Sequence, residues 1–231
     1  MRHGWYYSNM RRKWRAAVAL VASGLLLGGA CLGAQGAKLA FNWAFVSRAA
    51  DGGSAPIDFS ERVNIKPGEL FKIHIQPVQN AFVYLYLHDA AGDLTVLFPE
   101  KFETFDSTTY SETQFFVPEG ENWFQLDATK GTERFYLLAS TQRLKTLESL
   151  SLAWQKVNDN PKSTRSAKGT ARQAVLDEIS KVRKQHSQLT IAAEKPVTIA
   201  GGTRGINASV AKLATHIEAV DFYTKTFRLD H

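Results

Sequence analysis

An antiparallel β-sandwich with a two-helix appendage is the fold class this sequence predicts. Three observations predict it. Apolar residues recur at every second position in several short runs between Phe41 and Ser140. The spacing then switches to three and four between Leu147 and Leu189. Gly, Pro and Asp punctuate the first region at short intervals, which suits hairpins better than alternating βαβ units.

The elements follow in order. Phe41, Trp43 and Phe45 alternate with Asn42, Ala44 and Val46. Phe71, Ile73 and Ile75 alternate with Lys72, His74 and Gln76, the pattern of a half-buried strand. Ala81–Leu87 is apolar almost throughout, as a central strand covered on both faces would be. Asp89–Asp93 is a turn around Gly92. Leu94–Phe98 returns as the partner strand, and Pro99 stops it. Residues 113–117 and 122–127 form shorter strands split by Pro118 and Gly120, and Thr132–Ser140 forms a longer one. Leu147, Leu150, Trp154 and Val157 make one helical stripe, ended by Asn158-Asp159-Asn160-Pro161. Residues 162–170 read as a polar loop. Val175, Ile179, Val182, His186 and Leu189 make a second stripe. The stripes would pair as a hairpin or lie on the sheet. Gly201, Gly202 and Gly205 mark a loop, and Ile217–Leu229 closes the chain as one extended segment with Tyr223, Phe227 and Leu229 on one parity.

The first 36 residues have a different character. Met10-Arg11-Arg12-Lys13-Trp14-Arg15 is basic, and Ala16–Ala34 is apolar apart from Ser23 and Cys31. Small residues close the run. This is the layout of a bacterial export signal, with the basic end retained in the cytoplasm. Met10 is an alternative start that gives the signal ordinary proportions. Three fates fit it. Cleavage at Ala34-Gln35-Gly36 satisfies small-x-small. Lipidation of Cys31, the only cysteine, fits a lipobox in part, because Gly28 stands where Leu, Val or Ile is usual. Retention as an anchor is compatible with 19 apolar residues, near the roughly 20 that span a bilayer. The expectation is a periplasmic or outer-envelope protein, soluble or membrane-anchored. The organisation expected is 1–36 signal or anchor, 37–143 β core, 144–190 basic two-helix insertion, and 191–231 the loop and closing strand of the same domain.

Charge narrows the partners. Five of 28 basic side chains precede the apolar run, leaving 23 basic against 22 acidic, net +1. The exported part lacks the basic footprint that nucleic acid requires. With no second cysteine there is no internal disulfide, so the core must hold the fold. Residues 37–140 carry 8 basic and 14 acidic side chains, net −6, and residues 141–190 carry 10 and 4, net +6. The helical segment is therefore expected to dock on the β part through Leu147-Leu150-Trp154 and Val175-Ile179-Val182. Its outer basic residues, Lys181, Arg183 and Lys184, would face an acidic partner or anionic lipid.

No catalytic constellation emerges. The histidines lack HExxH or i, i+4 spacing, so no metal site is expected. His88-Asp89 is a polar turn before it is an oriented base, and Ser140 has no GxSxG elbow. Asp89, Asp93 and Asp127 do not match a calcium loop. There is no GxGxxG or Walker pattern, and no cofactor is expected. Seven aromatics crowd residues 101–125. They would fill the core and cover its end. The alternative is a ligand-stacking platform built from Tyr110, Phe116 and Trp123.

The run Phe82–Pro99 resembles the centre of the bacterial family known as domain of unknown function 4384. The matching landmarks are Tyr84-Leu85-Tyr86, Gly92 and Leu97-Phe98-Pro99, followed by Phe124–Asp127, Gly131, Glu133 and Leu137–Ser140. The resemblance covers roughly residues 65–143. It implies an exported or surface-associated β module with no assigned biochemical role. The function expected is a non-catalytic interaction or scaffold module that binds envelope proteins. The alternative is a glycan- or peptidoglycan-binding module.

Overall fold

The computed structural model describes residues 36–48, 54–60, 63–65, 68–125, 130–186, 192–197 and 214–230. In chain order the strands are β1 (Lys38–Arg48), β2 (Ser54–Pro56), β3 (Val63–Asn64), β4 (Leu70–Gln79), β5 (Phe82–His88), β6 (Leu94–Phe98), β7 (Phe115–Val117), β8 (Phe124–Gln125) and β9 (Thr132–Ser140). Helices α1 (Lys145–Asp159) and α2 (Arg165–His186) follow, then β10 (Ala193–Val197), β11 (Ala214–Val220) and β12 (Phe222–Asp230). Strands make up 45% of the described residues, in two mostly antiparallel sheets, as the period-two pattern requires. One sheet runs β10-β11-β1-β4-β7, with β2 beside β1 and β8 beside β4. The other runs β3-β12-β9-β5-β6.

The sheets meet through the alternating aromatics. Phe41, Trp43 and Phe45 of β1 face Tyr223 and Phe227 of β12, with ring centroids 4.5 Å apart for Trp43–Phe227 and 5.5 Å for Phe41–Tyr223. Phe45 also meets Phe135 of β9 edge-on at 5.2 Å. Each such side chain, fully buried, stabilises the fold by roughly 1.5–3 kcal/mol.

The helices form a third layer on the outer face of the five-stranded sheet. Leu147, Trp154, Val175, Ile179 and Val182 are all buried, as the two stripes require. Polar bonds fix the docking. The Tyr84 hydroxyl donates to Glu148 at 2.8 Å, Tyr86 and Ser151 share a hydrogen bond of 3.0 Å, and Trp154 Nε1 donates to the Leu94 carbonyl at 3.0 Å. Arg172 of α2 reaches Asp93 at 3.2 Å, an ion pair joining the basic helical part to the acidic β part. Being exposed, it orients more than it stabilises.

Three expectations change. The segment 162–170 is not all loop, because α2 begins at Arg165. Thr164 caps it, its Oγ1 accepting the Ala167 N–H at 3.1 Å. The closing segment is two strands in different sheets, β11 beside β1 and β12 beside β9. The chain crosses between them at Asp221, whose φ of +61° an Asp tolerates better than most residues. Asp221 exchanges backbone and side-chain hydrogen bonds with Ala37 and accepts the Thr141 N–H at 3.0 Å, which pins the corner. Finally, β4 is not half-buried. Lys72 and His74, on its outer face, are covered. The cover is local, since Phe116 lies 5.0 Å from His74, and Trp123 lies 5.3 Å from the Lys72 ammonium.

Candidate functional site

The residues proposed as an aromatic platform do not share one exposed face. Tyr110 is buried at 7% exposure among Phe105 and Phe115. Its hydroxyl accepts the Val83 N–H at 3.2 Å, a donor near the start of β5, before its pairing with β6 begins at Leu85. That unpaired backbone group draws the tyrosine inward. Phe116 and Trp123 are half-buried, over His74 and Lys72 of β4. Trp123 also packs on Ala44 and Val46, with the Arg48 guanidinium 5.6 Å from its ring.

The basic residues of α2 are likewise divided. Lys181 pairs with Glu178 at 2.9 Å, and Arg183 turns to the sheet, 5.8 Å over the Tyr136 ring. Lys184 is exposed. Cys31, Asp127 and His231 lie outside the described residues.

The titratable candidates serve the fold. Asp89 accepts the Asp93 N–H at 2.6 Å and closes the turn after β5. Ser140 Oγ accepts the Gln142 N–H at 3.2 Å. His216 shares a hydrogen bond of 2.7 Å with Asn42. His186 stacks on Phe222 at 4.4 Å. His74 is fully covered, and burial pushes it down to about 4 against a weak opposing pull from Gln114. Among the described residues, no three His, Cys, Asp or Glu side chains converge as a metal site.

The densest polar cluster was not anticipated. Glu148 sits in the first turn of α1 and is 6% exposed as a side chain. It accepts from Tyr84, and its two oxygens accept from the Arg143 guanidinium at 2.7–3.2 Å. Arg143 reaches on to Asp106 at 2.9 Å and the Phe102 carbonyl at 3.2 Å. Tyr84 in turn accepts the Leu144 N–H at 2.9 Å. Burial holds the Tyr84 hydroxyl far above the usual tyrosine range, so it acts as a neutral donor. The cluster ties β5, the loop after β6 and α1 together, and its groups are occupied by one another. Glu148 follows Arg143 by five residues and Lys145 by three, a local charge pairing that is the signal for it in the sequence.

Among the described residues, one sheet edge is left open. β6 ends its sheet, and β7 ends the other on the same side of the sandwich. Between them lies a groove of about 330 Å³, walled by Val96, Leu97 and Phe98 from β6 and by Phe115, Phe116 and Val117 from β7, with Phe124 beside them. Phe98 and Phe115 meet at 4.9 Å in its floor. Glu100, Lys101 and Glu119 stand at its rim. Thr95, the second residue of β6, is exposed. This arrangement presents unpaired backbone groups beside an apolar slot, the geometry that takes up an extended segment.

No curated protein and no solved structure matches the chain. A family model does match part of it. The matched residues run from the end of β3 to Arg143, before α1, so β1 and β12, which complete the two sheets, lie outside the match. Residues 64–143, which hold both walls of the groove and the Tyr84 strand, match the family described as Domain of unknown function (DUF4384).

Proposed function

We propose that this chain is an exported envelope protein whose folded part is a non-catalytic β-sandwich module for docking other envelope proteins. The observation that carries the reading is the open β6 edge beside an apolar groove. Two further facts support it. The ionisable clusters are committed to internal contacts, and the leader has the charge and apolar pattern of an export signal. A charge on the edge tests it. Proteins retained from an envelope extract by the wild-type chain should be lost with Leu97→Asp, the fold being checked by circular dichroism. Equal retention by a folded Leu97→Asp chain would refute docking at this edge.

Glycan binding is the second reading. It is favoured by Phe116 and Trp123, both half-exposed over adjacent outward positions of β4. Titration of soluble peptidoglycan fragments into wild-type and Trp123→Ala chains separates the two, since a docking module gives no heat in either.

A further inference from the structure

The two sides of the sandwich are treated differently, and the difference points to an occupant for one of them. On the far side the edges are defended. β10 carries Pro196, which has no N–H to offer a new strand. In β12, Lys225 shares the inward parity of Tyr223 and Phe227. Its ammonium lies 5.3 Å from the Trp43 ring and 2.8 Å from Glu194 of β10. Proline on an edge and an inward-pointing charge are devices that block edge pairing. The side formed by β6 and β7 has neither within its edge strand, where the one irregularity is a register shift against β5 at Leu97. β6 reads Leu-Thr-Val-Leu-Phe, with no charge and no proline, and Pro118 falls just after β7.

The surroundings of this open edge are acidic. Between Pro99 and Glu121 there are six acids, Glu100, Glu103, Asp106, Glu112, Glu119 and Glu121, against Lys101 alone, net −5. All six are exposed. Asp106 is held by Arg143, and Glu121 lies close enough to Lys72 to favour its charged form. A second copy of this chain pairing β6 to β6 would bring two such segments together, which like charge opposes.

We infer that β6 accepts an extended strand from a partner protein, about five to seven residues long, apolar at alternate positions and flanked by Lys or Arg. The inference rests on the docking reading above and adds the chemistry of the occupant. The partner's backbone continues the five-stranded sheet. Its inward side chains enter the groove against Phe98 and Phe115, and its basic flanks meet Glu100 and Glu119.

The probe is a fluorescein-labelled nine-residue peptide of alternating valine and threonine with a lysine pair at each end. It is titrated by anisotropy into the full chain in detergent. The expected result is saturable binding, weakened at least tenfold when glutamates replace the lysines and again when salt is raised from 50 to 500 mM. Val96→Pro should abolish it. Glu100→Lys/Glu119→Lys, both exposed, provides a second reading that does not depend on an altered strand backbone and should reverse the preference between the two peptides. Equal binding of both peptides, or an unchanged preference in the double variant, overturns the proposal. So does a dimer in sedimentation that the lysine peptide does not dissociate. If envelope proteins are retained at the edge while the lysine peptide fails to bind, the occupant is wrong and the docking reading stands. If neither binds, both fall.

Discussion

Lowering the pH from 7.5 to 4.5 should destabilise the folded chain through His74. The residue is 0% exposed and lies against Phe116, with Gln114 as a polar neighbour. Burial disfavours the imidazolium and pushes the folded pKa to about 4, from 6.5 in the unfolded chain. The folded value is the lower one, so the unfolded chain takes up the proton first. Stability is therefore undiminished above pH 6.5 and falls as the pH drops from 6.5 to 4, below which this group adds nothing further. The whole shift corresponds to about 3 kcal/mol, of which about 2.5 kcal/mol is expressed by pH 4.5. Urea denaturation of wild type and His74→Leu at the two pH values isolates the effect, because carboxylates contribute equally to both proteins. Wild type should lose about 2.5 kcal/mol more than the variant. At pH 7.5 the variant should lie close to wild type, since an apolar side chain of similar size removes the cost of burying the imidazole along with its contact to Gln114. Equal pH slopes in the two proteins would refute the burial argument.

Three further outcomes follow from the packing and the leader. Glu148→Ala leaves Arg143 and the Tyr84 hydroxyl without their shared acceptor, and chemical denaturation should record a loss of about 3–5 kcal/mol. Phe98→Ala opens a cavity beside Phe115 and should cost about 3–5 kcal/mol, so an unchanged melting temperature would contradict the assigned register of β6 on β5. Mass spectrometry of the mature chain should find an N-terminus near Ala37 or an acylated Cys31, and an intact chain in the cytoplasm would contradict export.

Much of this architecture is legible in the residues, for physical reasons that also mark the limits. The span Thr132–Ser140 is read to the residue, because the turn at Lys130-Gly131 precedes it and the apolar run Phe135–Ala139 ends at Ser140-Thr141-Gln142. The helical stripes at Leu147 and Val175 emerge because each buries a single face. The start of α2 is hidden by its polar first turns, although Ser163-Thr164 is a capping signal. The split at Asp221 is hidden because both strands are apolar, and only the parity change between Ala219 and Phe222 betrays it. His74 and Lys72 mislead, since polar residues on a strand ordinarily face water. The aromatics that cover them come from β7 and the loop before β8, far along the chain. The open edge of β6 is a property of sheet order, which no local pattern carries. Once the order is known, the inward parity of Lys225 becomes informative, because it distinguishes the defended side from the open one.

A photo-crosslinking side chain at Thr95, exposed on the open edge of β6, compared in living cells with one at Leu152, 52% exposed on α1, tests docking at this edge most directly. A discrete adduct with an envelope protein from position 95 and none from position 152 is the predicted result. Adducts from position 152 alone, or none from position 95, would contradict it.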